Sequence, residues 1–177
     1  MVYVLVWGST QTESGAGHTS IAFSDPHGIR YYSSYTRSDG GIIDTLLCEV
    51  NEIFNLDSII GTQASSPGLI LSFDVNEKEY REMRSTASKK ATKRWKLFSL
   101  NCADFVKCAF KKTNYDGGYA FLISTPYEFI HDLTDHNAGA FKEGRIHTVK
   151  GVVSVFLKNE PRAIPFVLQK FFKLKKR

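Results

Sequence analysis

Cysteine is scarce in this chain, with only Cys48, Cys102 and Cys108 among 177 residues. An odd count implies no disulfide framework, and the step from Cys102 to Cys108 lacks zinc-knuckle spacing. Long apolar runs are missing, and none approaches the roughly 20 residues of a membrane span. The opening Met-Val-Tyr-Val-Leu-Val-Trp has no basic leader and is too short for a signal peptide. These absences predict a chain made soluble in the cytoplasm, with any action elsewhere requiring a dedicated secretion system. Repeats and a second domain are also absent, and the basic runs carry no nucleic-acid motif, so no nucleic-acid partner is expected. His131, Asp132, Asp135 and His136 cluster without usable ligand spacing, so neither a metal nor a cofactor is expected.

The apolar and aromatic content, 42% and 13%, argues against disorder and for one domain over residues 1–177. The net charge of +5 favours an anionic partner without choosing among them. Much of the excess lies in Lys89–Arg94 and Lys170–Arg177.

Periodicity predicts the elements. Val2 to Trp7 reads as a buried strand. Gly17 to Phe23 alternates, with His18, Ser20 and Ala22 on one face and Thr19, Ile21 and Phe23 on the other. The small residues on the His18 face suggest a close-packed helix over it. Asp25-Pro26-His27-Gly28 is a turn, and Ile29 to Tyr35 returns as the second strand of a hairpin. Residues 38–66 read as an insertion or rim segment, and Leu69 to Val75 as a strand. Asn76 caps a helix to about Lys93 with Tyr80, Met83 and Ala87 as its stripe, and Thr125-Pro126 opens another through Phe129, Ile130 and Leu133. His136 to Gly144 reads as a loop and His147 to Leu157 as a strand. Residues 163–177 form a basic amphipathic tail in which Phe166, Leu168, Phe171 and Phe172 carry the apolar side.

The chemistry concentrates at Asn101-Cys102-Ala103-Asp104-Phe105-Val106. Asn101 suits an N-cap, Asp104 complements the helix dipole, and Phe105, Val106, Ala109 and Phe110 share one buried face. A cysteine at such a helix start can be a small buried hydrophobe. It can equally be a nucleophile, because the dipole and unpaired N–H groups favour thiolate. A nucleophile needs a histidine base, and His18 on its strand is the candidate.

Here the histidine comes first, 84 positions before Cys102 (102 − 18), whereas papain-like enzymes usually place the cysteine first. Trp7-Gly8 before Gly17-His18-Thr19-Ser20-Ile21, the strand Tyr31-Tyr32-Ser33-Ser34-Tyr35, and the Asn101-Cys102 helix start together resemble the circularly permuted branch of the NlpC-like, papain-fold superfamily. The likeness spans roughly Met1 to Leu133. It implies an α+β, papain-like fold in which an antiparallel sheet is packed by the helix carrying the nucleophilic cysteine. Relatives often place a third polar residue on the strand after the histidine. Antiparallel pairing around Pro26-His27 would set Tyr35 opposite His18 and Ser33 opposite Ser20, and a one-residue slip would offer Ser34 or Tyr32 instead, which leaves Ser33, a tyrosine hydroxyl, a backbone carbonyl or nothing for that role. Trp7, Tyr35 and Asn101 are the candidates for substrate contact.

The resemblance implies a cysteine amidase or peptidase acting on peptidoglycan peptides, with Cys102 as nucleophile and His18 as general base and acid. An exported antibacterial effector with an immunity protein fits a small basic chain without a signal peptide. Two alternatives stand beside it. One is a lipid acyltransferase or thiol lipase that touches membrane surfaces through the basic tail, and the other is a non-catalytic basic binding module.

Overall fold

Val2–Trp7 forms β1, whose apolar residues are buried on both faces of a sheet. It pairs antiparallel with β2 (His18–Asp25) on one side and β5 (Leu69–Phe73) on the other. Beyond β2 lie β3 (Gly28–Ser34) and β4 (Cys48–Ile53), and beyond β5 lies β6 (Ile146–Lys150). The order β4-β3-β2-β1-β5-β6 gives six strands, and every neighbouring pair is antiparallel. The computed structural model describes residues 1–9, 17–34, 48–53, 66–91, 101–118 and 124–160. Tyr35, residues 38–47 and 54–65 of the expected rim segment, and the basic tail lie outside the described residues.

Side-chain alternation divides the sheet into two faces. Val4, Val6, Ile21, Phe23, Leu71 and Phe73 enter the main core, while Leu5, Trp7, Ala22, Tyr31 and Ile70 cluster on the other face. Helices cover the first face: α1 (Glu77–Ala91), α2 (Cys102–Phe110) and α3 (Pro126–His136). Met83 and Ala87 come from α1, Phe105, Val106, Ala109 and Phe110 from α2, and Phe129, Ile130 and Leu133 from α3. Phe110 meets Phe73 at 4.9 Å between ring centres and Phe129 at 6.3 Å, so one aromatic column joins sheet, α2 and α3. Full burial of each such side chain stabilises by roughly 1.5–3 kcal/mol. The result is an α+β fold whose antiparallel sheet is packed by the Cys102 helix.

The expected strands Val2–Trp7, Gly17–Phe23, Ile29–Tyr35 and Leu69–Val75 recur within a residue or two among the described residues. Asn76 caps α1 as expected, accepting from the Glu79 N–H at 2.9 Å while Glu79 accepts in return from the Asn76 N–H at 3.1 Å. Four expectations need correction. Cys48–Ile53 belongs to the sheet as β4, not to a rim segment; its mixed sequence Cys-Glu-Val-Asn-Glu-Ile hides the alternation. The loop expected at His136–Gly144 contains the short helix α4 (Ala138–Lys142), with Ala140 buried. The strand expected over His147–Leu157 stops at Lys150. Gly151 turns there at φ +80, against the Gly68 carbonyl, and α5 (Val153–Asn159) follows. In α5, Val153, Phe156 and Leu157 fall at i, i+3 and i+4 against the core, so packing overrides β-branched propensity. Finally, α2 covers the Thr19–Ile21–Phe23 face of β2 and not the His18 face.

Candidate active site

Cys102 is the first residue of α2, and Asn101 is its cap. The Asn101 side chain accepts from the Asp104 N–H at 3.0 Å, and Asp104 accepts from the Asn101 N–H at 3.3 Å. This closed capping box fixes where the helix begins. The apolar face of α2 anchors on β2, so its first turn is set down at the start of that strand, where Thr19 stands one residue past the last β2–β3 pair, Ser20↔Ser33. Both Thr19 groups approach the Cys102 sulfur. The backbone N–H donates to it, and the hydroxyl reaches it as well. Thr19 Oγ1 is buried, and among the described residues it has no ordinary hydrogen-bond partner. The Ala103 N–H, at the helix start, also points at the sulfur.

His18 precedes Thr19 and, by strand alternation, projects to the opposite face. There it pairs in register with Trp7, and the two rings lie 5.5 Å apart, tilted at 47°. The structure therefore brings Cys102 against Thr19 and His18 against Trp7, at adjacent positions of one strand. Trp7 is buried at 2% exposure, so its described contact is with the imidazole. Asn101 is likewise buried, as a cap. Ser33 sits opposite Ser20, the register predicted from the turn. Ser20 Oγ is buried without a partner among the described residues.

Gly17 sets the entry to His18. Its φ is +72, and a Cβ there would stand 2.8 Å from the Trp7 carbonyl oxygen and 3.1 Å from Pro126 Cγ. The first residue of α3 therefore closes over the chain just before His18. Thr125 caps α3, its hydroxyl accepting from the Glu128 N–H at 3.2 Å.

Electrostatics amend the sequence reading. Burial pushes the Cys102 thiol up from its ordinary range. The Thr19 and Ala103 donors oppose this only in part, and the Asp104 carboxylate adds to it. The thiolate expected from the helix dipole alone is thus outweighed by desolvation in the free protein. Burial also lowers the His18 imidazole to about 4. At neutral pH the resting groups are a thiol and a neutral imidazole, so the histidine is in the form that accepts a proton.

Lys107, on the buried side of α2, pairs with Asp132 of α3 at 3.4 Å. Sequence reading missed this tie because a lysine within an apolar helix face gives no partner away. It missed Thr19 as well, although the alternation that separates Thr19 from His18 was already legible. His131 pairs with Asp135 at 3.6 Å and His136 with Asp116 at 3.2 Å. Among the described residues no group of three or more His, Cys, Asp or Glu side chains could hold a metal ion. Nor is any described helix long and apolar enough to cross a membrane. Cys108 is a half-buried free thiol.

No protein-family model matches the chain, and no match was found among curated proteins or solved structures.

Proposed function

We propose that the protein is a cysteine amidase or peptidase of papain-like, circularly permuted architecture, with Cys102 as nucleophile and His18 as general base and acid. One observation carries this reading. A cysteine at the first position of a capped helix lies against Thr19, the strand residue next to a half-buried, neutral histidine. In this reading the sulfur attacks an amide carbonyl as its proton passes, by way of a water at the end of β2, to the imidazole on the Trp7 side of that strand. The amine leaves with that proton, a thioester remains on Cys102, and water hydrolyses it with His18 now acting as base. In this reading the Cys102 N–H, at the start of α2, donates to the carbonyl oxygen as it gains charge.

The substrate class we assign is the peptide of bacterial peptidoglycan, encountered after export by a dedicated system, with an immunity protein guarding the producing cell. Purified sacculi are the test. Wild type should release new muropeptides carrying matched new amine and carboxyl ends, whereas Cys102→Ser and His18→Ala should release none above background. Unchanged sacculi together with acyl transfer from vesicle lipids would replace this reading by the lipid one.

A further inference from the structure

We infer that Thr19 is the residue that admits charge on the Cys102 sulfur, its buried hydroxyl serving as a donor held in reserve for the thiolate. The inference rests on the reading of Cys102 as nucleophile and names a group that this reading had not used.

Thr19 is fully buried, on the core face of β2, among Val6, Ile21 and the α2 residues. A valine would satisfy that environment better. It has the same shape and β propensity and brings no polar atom into an apolar core. A hydroxyl placed there without an ordinary partner needs a reason. Among the described residues, the polar group brought to it is the Cys102 sulfur, which the Thr19 N–H already contacts.

A hydroxyl is a rotor, able to accept or to donate. Beside the resting thiol, Oγ1 can accept from S–H. When the proton leaves for His18, the hydroxyl can turn and donate to the anionic sulfur while keeping its own proton. Together with the Thr19 and Ala103 N–H groups it then supplies three donors to the sulfur, from two elements.

The test is the pH–rate profile of Cys102 alkylation, read by peptide mass, with Cys108 as an internal reference. Wild type, Thr19→Val, Thr19→Ser and His18→Ala are compared, each also taken through a urea titration. Loss of one charge-assisted donor should move the Thr19→Val profile up by about one pH unit, which is roughly tenfold slower labelling at about pH 8. Thr19→Ser should restore the wild-type profile. Thr19→Val should also unfold at the same urea concentration as wild type or a higher one, which separates loss of a donor from structural damage. Should Thr19→Val not fold, Thr19→Ala is read in its place.

An unmoved profile in a folded hydroxyl-free variant, with wild-type labelling still dependent on His18, overturns the role of Thr19 and leaves the nucleophile reading intact. An ordinary thiol profile, indifferent to both Thr19 and His18, overturns the two together.

Discussion

Gly17 offers a sharp test of how the site is assembled, because a single methyl group there meets backbone. The residue has φ +72, and an added Cβ would lie 2.8 Å from the Trp7 carbonyl oxygen. Left-handed backbone costs an L-residue about 1–2 kcal/mol. The overlap adds about 1–3 kcal/mol, since Trp7 is fixed in β1 and Pro126 begins α3, leaving neither free to yield cheaply. Gly17→Ala should therefore destabilise by about 3 kcal/mol, or about 6–12 °C in Tm for a domain of this size. The movement should also pass to His18 and alter the Trp7–His18 contact, so the variant should show changed Trp7 fluorescence below its transition. Gly117→Ala is the matched control, because its Cβ would find only ordinary contacts at 3.5 Å. Thermal and urea unfolding of the three proteins give the comparison. If Gly17→Ala melts within about 1 °C of wild type with unaltered fluorescence, the close crossing of α3 over the His18 strand is wrong.

Asn101→Ala opens the capping box and should lower stability by about 1–2 kcal/mol in urea, with Asn101→Asp recovering most of it. Asp132→Ala leaves the buried Lys107 ammonium without its carboxylate and should cost about 2 kcal/mol, a buried-pair value reduced because Asp132 is partly exposed. Adding Lys107→Met should return most of that loss in the same titration. His18 titrates at about 4 in the folded chain against 6.5 unfolded, so the unfolded chain takes up a proton that the folded one refuses. Stability should fall as pH drops from about 6.5 to about 4, by about 2 kcal/mol once partial exposure is discounted, and His18→Asn should lack that loss. Urea midpoints of the two proteins across this window would show parallel curves if the histidine were fully solvated in the folded chain.

The parts of the fold legible in the sequence are those where local chemistry and packing agree. The all-apolar run of β1, the Asp25–Gly28 turn, the Asn101 and Asn76 caps and the proline opening α3 each state one conformation. The Ser20↔Ser33 register followed from the turn alone, because a two-residue hairpin fixes every pair behind it. What stayed hidden depended on distant residues. β4 is defined by its ladder to β3 and not by its own pattern. α5 is helical because Gly151 turns the chain and Phe156 finds the core. At the site, the cysteine and its cap could be read, but which β2 residue meets the sulfur could not. A one-residue choice of strand face separates His18 from Thr19, and only the seating of α2 makes it.

That choice bears on how the thiol is activated. A preformed thiolate–imidazolium pair would alkylate at a rate nearly constant down to acid pH, because the sulfur would already be charged. Cys102 is pushed the other way by burial, and His18 is too weak a base, at about 4, to hold the proton unaided. Ionisation then has to coincide with attack, when substrate fills the site and the departing proton travels on toward the leaving amine. Alkylation of the free protein should therefore keep rising past the ordinary thiol range, near 8.5, instead of levelling off in acid. Turnover on substrate should slow in deuterated water, because the proton moves in the rate-determining step. An acid plateau in alkylation, with turnover insensitive to deuterium, would mean that the charged pair exists before substrate arrives. Burial at Cys102 and His18 would then be offset by a mutual attraction strong enough to reverse both shifts.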